Sequence, residues 1–412
     1  MSKKRDYKVV ILILITFFVI SFLTNILGAL NPSATISFDL SETMAGFLPF
    51  SFFIAYGIMS IPAGFLLEKF GEKVMMISGF VLGLAGSILF VIFPFFKVFI
   101  LSLFIIGAGM AILQVVINPL LRVAGGEENY AFNSVLAQLF FGAASFISPF
   151  VYSWLLLNTG DTSIKDLPFM EVLISSDKIW IIMYWLFAVI SFVMIFIVYL
   201  IPIPNVSLKE EEKVGSIKVL KDMITNRTVI LYFLAIFAYV GTEQGISYWM
   251  SKFLSIYHDF DFRTTGAVAV GRFWGLMTIG GIFGLFLLRL LDSKLVLKIF
   301  TFLAILSLAL ALFAPAIISL YSFQACGFFL SVMYPIIISL GLNSIKEHHG
   351  SAAGIFMSGI MGGAVVQIAI GILGDAFSLK AGMLLIFLTL AYILSIGFWA
   401  KPLIRNKTIT NN

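Results

Sequence analysis

Residues 62–73 read PAGFLLEKFGEK, with Glu68, Lys69, Glu72 and Lys73 packed into six positions between two apolar runs, 44–67 and 73–94. Apart from Lys73 itself, neither run contains a charged residue. A helix on the surface of a soluble protein keeps one polar face; these runs have none. About 20 apolar residues suffice to cross about 30 Å of hydrocarbon as a helix. The stretch therefore reads as a tight aqueous turn joining two membrane-crossing helices.

The rest of the chain extends that pattern. Of its 412 residues 60% are hydrophobic and only 11% charged, and the mean hydropathy is +1.07. Soluble domains carry about 25% charged residues, so an ordinary water-soluble enzyme is excluded. Breaks at charges and at Pro/Gly clusters predict spans at 9–30, 44–67, 73–94, 97–122, 131–157, 178–202, 228–255, 264–290, 294–314, 316–343, 350–375 and 380–401. The expected fold is an all-α membrane protein of twelve transmembrane helices in two six-helix halves, 1–202 and 228–412, joined by a linker, 203–227. The run behind the basic Met1–Lys8 is too long for a signal peptide's core and is read as an uncleaved first span. In the linker, Val214, Ile217, Leu220 and Ile224 recur at helical spacing, which predicts a short interfacial helix.

The formal charge of +5 points to lipid topology rather than to nucleic acid. With both termini cytoplasmic, the inner segments hold nineteen of the 26 Lys and Arg residues and the outer segments six; Arg272 alone falls inside a span. That asymmetry predicts cytoplasmic termini and a multi-pass protein of a plasma membrane, expected to be a bacterial inner membrane. The single cysteine, Cys326, precludes an intrachain disulfide or a CxxC metal site. No HExxH, P-loop or GxSxG motif is present, and His348 and His349 beside Glu347 read as a solvated turn. No enzyme activity, metal or cofactor is expected.

The halves echo one another. Asn118-Pro119 in the fourth span matches Tyr334-Pro335 in the tenth, 216 residues later, and the turn at Glu68-Lys69 has a looser counterpart at Arg289–Lys294. Repeats of this kind characterise secondary transporters, which bind substrate near the midplane between halves. These features resemble the major facilitator superfamily, whose signature turn looks like PAGFLLEKFGEK with Glu68 and Lys69 as the gating charge pair. LFIIGAGMAILQVVINPL (103–120), Leu136-Ala137-Gln138, FAYVGTEQ (237–244) and SVMYPIIISLGLNSI (331–345) resemble the fucose–galactose–glucose symporter family within it. The resemblance implies uptake of a monosaccharide coupled to a cation, proton or sodium. It also marks departures: Gly28 stands where proton-coupled members carry Asp, Gln114 where fucose permease carries Glu, and Val135 where an Asn is usual.

An ionisable side chain mid-span costs about 2.5–3.5 kcal/mol on insertion scales, so those that persist mark function or pairing. Glu243 in span seven and Arg272 in span eight are the two such residues, and both are candidates for coupling, either separately or as a pair. Neutral amides form the second group, because sugar hydroxyls both donate and accept and so do Asn and Gln. Gln114 and Asn118 share one face of span four, and Gln138, Gln244, Asn343 and Gln367 add amides from spans five, seven, ten and eleven. Tyr334 joins them because the adjacent Pro335 frees backbone carbonyls locally. The expected activity is import of a hexose or deoxyhexose by alternating access, by a monomer in the bilayer. The alternatives are an uncoupled facilitator or exporter of another small polar metabolite, and a non-transporting sensor on the same fold.

Overall fold

Gly71 sits at φ 75°, ψ 168°, a conformation that residues with a Cβ seldom adopt. It turns the helical run Glu42–Ile92, 51 residues long, back on itself. What is continuous by hydrogen bonding is therefore two spans joined by the charged turn. The computed structural model describes residues 6–126, 130–159, 179–204, 217–345 and 349–403. Among these, eleven helical segments are long and apolar enough to cross a membrane, and counting Glu42–Ile92 as two makes twelve spans.

Span one is Tyr7–Phe38, spans two and three share Glu42–Ile92, span four is Phe96–Gly125, span five Asn133–Asn158 and span six Ile179–Leu200. Spans seven to twelve are Arg227–His258, Phe262–Leu290, Ser293–Phe313, Ala316–Leu342, Ser351–Ala376 and Leu379–Trp399. The predicted linker helix is present as Ile217–Thr225. Val214, most of the segment 158–177 and the Glu347–His348 turn lie outside the described residues.

Span one runs eight residues past its predicted end. Its helix breaks at Asn25 and Ile26, resumes at Leu27 and stops at Asp39, whose left-handed φ of 50° ends the helical hydrogen bonding. Span ten breaks at Ser331 and Val332 and restarts at Met333. There Pro335 has no N–H to give the carbonyl four residues back, which is Ser331.

Packing follows the same plan twice. Span one lies along span five and span two against span four; six spans later, seven lies along eleven and eight against ten. The two sets meet mainly where span two packs on eleven, five on eight, and the second segment of one on seven. Spans four and ten make no extensive contact across the divide. Glycines set the closeness of these crossings: a Cβ on Gly142 would run into Thr278, and one on Gly28 into the Ser247 carbonyl. Within the first set, Asn25 donates to Ser145 at 2.8 Å, and Ser21 donates to the Phe141 carbonyl at 2.6 Å, tying spans one and five.

Candidate functional site

The two sets are sealed together on the side away from the chain termini, called here the far side. Asn31 donates to the Tyr248 carbonyl at 3.2 Å, and the Tyr248 hydroxyl donates to the Ala45 carbonyl at 2.6 Å. The Lys252 ammonium meets the Glu42 carboxylate at 2.6 Å, joining span seven to the start of span two. Asp375, at the end of span eleven, accepts the backbone N–H groups of Glu42 at 2.7 Å and Thr43 at 2.9 Å. These are amides at the first turn of a helix, which have no partner within it; here the other set supplies the acceptor. Ser153 completes the seal by donating to the Arg263 carbonyl at 2.6 Å.

Toward the termini spans four and ten make no extensive contact with each other, which leaves a cleft between them. Glu243 lies in the middle of span seven, one turn below the Ser247 contact, and is half-buried. Gln244 donates to its carboxylate at 3.1 Å, and the Tyr239 hydroxyl lies near it, four residues earlier on the same face. The Tyr239 ring packs on Tyr334 with centroids 5.7 Å apart, and the Tyr334 hydroxyl reaches the Met357 sulfur at 3.1 Å. The carboxyl thus sits among neutral donors and aromatic rings drawn from spans seven and ten, with Met357 of span eleven alongside.

Across the cleft, Gln114 is half-buried and Asn118 exposed, and the Asn118 amide donates back to the Gln114 carbonyl at 3.1 Å. Gln138 is exposed one turn toward the termini from Gly142, the residue that touches Thr278 of span eight. Neighbouring helices thus leave Asn118 and Gln138 uncovered and Gln114 partly so.

Other candidates lie elsewhere. Gln367 is fully buried in the seal, its backbone against Gly46 and both amide atoms without a partner. Asn343 closes span ten at the terminal side, where its side chain reaches Ser339 and its carbonyl accepts from the Leu403 N–H. Arg272 is exposed and shares a helical stripe with Ile279, Phe283 and Phe286. That stripe points away from the face carrying Trp274 and Val270, which is buried in the protein, and toward the side where Phe283 meets Phe328. Among the described residues Arg272 makes no ion pair with Glu243.

In the charged turn, Glu68 and Lys69 are exposed, with Lys69 over the Phe70 ring at 5.3 Å. The engaged members are the other two: Glu72 is 3% exposed, and Lys73 donates to the Tyr199 carbonyl at 2.7 Å and to that of Ile201 at 3.2 Å. Sequence reasoning also passed over Tyr239, whose four-residue spacing from Glu243 was the available signal. The Lys252–Glu42 pair gave none, being 210 residues apart in sequence.

Two like-packed sets of six spans, sealed on one side and parted on the other around a polar midplane, are the architecture of a secondary transporter. The Major Facilitator Superfamily model matches residues 13–366, and the chain belongs to that family. A glucose/galactose transporter of Brucella abortus is 28% identical over 385 residues, covering 92% of this chain and 91% of the relative. The L-fucose-proton symporter of Escherichia coli K12 is 27% identical over 379 residues, 87% of this chain and 85% of the relative. Among solved structures, FucP in its outward conformation superposes with a TM-score of 0.69 at 24% identity, covering 95% and 98% of the two chains. A bacterial homologue of the lysosomal transporter Spinster, inward-facing and unoccupied, gives 0.80 at 12% identity, covering 97% and 98%.

Proposed function

We propose that this protein imports a monosaccharide by alternating access, using the proton gradient, with Glu243 as the group that takes up and releases the coupling proton. The reading is supported by the sugar transport named for both relatives. The observation that carries it is the placement of Glu243: a membrane-embedded carboxyl at the head of an aqueous cleft, opposite the amides of Gln114, Asn118 and Gln138. The basic residues assign the terminal side to the cytoplasm, so the cleft described above is the inward-facing state. The halves 1–202 and 228–412 rock about the midplane as a monomer, with 203–227 as the link. Glu68 and Lys69, without an ion pair among the described residues in this state, close the cytoplasmic side in the other. Gln367 joins the sugar site when the far side opens.

An uncoupled facilitator is the second reading, favoured by Gly28 and Gln114, which leave the first half of the cleft without a carboxyl. Uptake of radiolabelled glucose, galactose and fucose into proteoliposomes, with proton and sodium gradients imposed separately, separates the two. Accumulation above equilibrium under a proton gradient alone supports coupling. Equilibration that ignores both gradients overturns it in favour of the facilitator.

A further inference from the structure

A second polar site lies outside the transport path, where span nine begins beside the end of span twelve. A cavity of about 230 Å³ opens there between Asp292, Lys294, Lys298, Gly397 and Pro402. Gly397 is part of its construction: a Cβ there would occupy the space taken by the Lys298 side-chain stem. The Lys298 ammonium sits over the Phe398 ring at 5.2 Å and, among the described residues, has no hydrogen-bond acceptor. Lys294 donates to the Ala400 carbonyl at 2.7 Å and keeps two further N–H donors. Asp292 is already committed, accepting the Lys294 backbone N–H at 2.8 Å. Two ammonium groups against one carboxylate leave the cavity net positive.

Below it the surface changes character. Leu295, Ile299, Phe302, Leu306 and Leu310 are all exposed and recur at helical spacing along span nine. Leu306 and Leu310 lead into an apolar groove of about 490 Å³ between spans nine and ten, closed on its other wall by Ile317, Tyr321 and Phe329. From Lys298 to Leu306 is eight residues, roughly 12 Å of helix, within the depth of one leaflet. A positive cavity at the membrane surface, beside an exposed apolar stripe that runs inward along span nine, matches a phospholipid and not a free phosphate ion.

We infer that this face binds an anionic phospholipid, its phosphate held by Lys298 and Lys294 and one acyl chain laid along the exposed stripe of span nine. Basic pockets between transmembrane helices on the cytoplasmic side take such headgroups. The site is independent of the sugar reading and of Glu243.

Native mass spectrometry of the full chain released from nanodiscs tests it, comparing dioleoylphosphatidylglycerol with dioleoylphosphatidylcholine. The wild type should retain phosphatidylglycerol about tenfold better, an advantage of about 1.4 kcal/mol. Lys298→Gln should abolish the preference, Lys298→Arg should restore it, and Lys221→Gln, at another exposed lysine of the terminal side, should leave it intact. Gly397→Ala should weaken retention by displacing the Lys298 stem. Equal retention of the two lipids by the wild type, or undiminished preference in Lys298→Gln, overturns the proposal. Displacement of phosphatidylglycerol by millimolar inorganic phosphate overturns it in favour of a simple anion site.

Discussion

The two halves of the cleft are built on one packing plan yet carry different chemistry. Among the described residues the first half presents neutral amides, Gln114, Asn118 and Gln138, while the second presents a carboxyl, Glu243, within reach of Tyr239 and Gln244. The structure explains part of the asymmetry. Gly28, where the resemblance to proton-coupled carriers implies an acid, is pressed backbone to backbone against Ser247. In the state seen here that position closes the far side and has no room for a carboxylate. On the proposed reading, sugar recognition draws on both halves and proton handling on one.

The largest expected effect follows from removing that one carboxyl. Glu243→Gln should lower proton-driven accumulation at least about 100-fold while leaving sugar counterflow within a few-fold of wild type, since the amide keeps the shape but cannot cycle a proton. Accumulation that survives in proteoliposomes would place coupling elsewhere. Gly28→Asp tests the other half: the added side chain should cost about 2 kcal/mol, roughly thirtyfold in population of the closed far side, as overpacking does. Uptake should fall, and a gain of proton dependence would show that the first half can still host an acid.

Breaking the seal itself comes next. Lys252→Ala should shift the protein toward the far-open state about tenfold, a modest value for a partly exposed pair whose side chains are 9% and 19% exposed. Maleimide labelling of Gln367→Cys reads this directly, because that position is fully buried in the seal and the native Cys326 is buried as well. An unchanged labelling rate would mean the helix-end contacts of Asp375 hold the seal without the ion pair. Gln114→Ala should raise the sugar KM about tenfold with little change in maximal rate, the effect of one lost hydrogen bond of about 1.4 kcal/mol. Arg272→Gln should change uptake less than about twofold, since the guanidinium faces away from the cleft; a loss comparable to that of Glu243→Gln would return it to the coupling machinery.

Much of this was legible from one dimension. Long uncharged runs punctuated by charged turns can only be membrane helices, because the hydrocarbon interior leaves a chain no other way to satisfy its backbone. Glu243 stood out for the same reason, a carboxyl that remains mid-span despite its cost. Position along a helix says little about direction, however. Arg272 and Glu243 lie at similar depth on consecutive spans, yet one faces outward and the other faces the cleft, a difference of rotation about the helix axis that depth does not record. Gln367 and Gln138 are both span-buried amides by sequence; packing places the first dry inside the seal and the second in the open cleft.

Sequence alone therefore determined the class of fold, the number of spans, the repeat and the short set of polar groups that the bilayer would have to tolerate. Those are local properties, decided by the transfer of each segment from water to lipid. Only tertiary structure decided which side is closed, that Lys252 meets Glu42, that Asp375 caps a helix of the other set, and which amides face the cleft. Each of these depends on where two segments far apart in the chain come to lie against each other, and that is settled by close packing between helices.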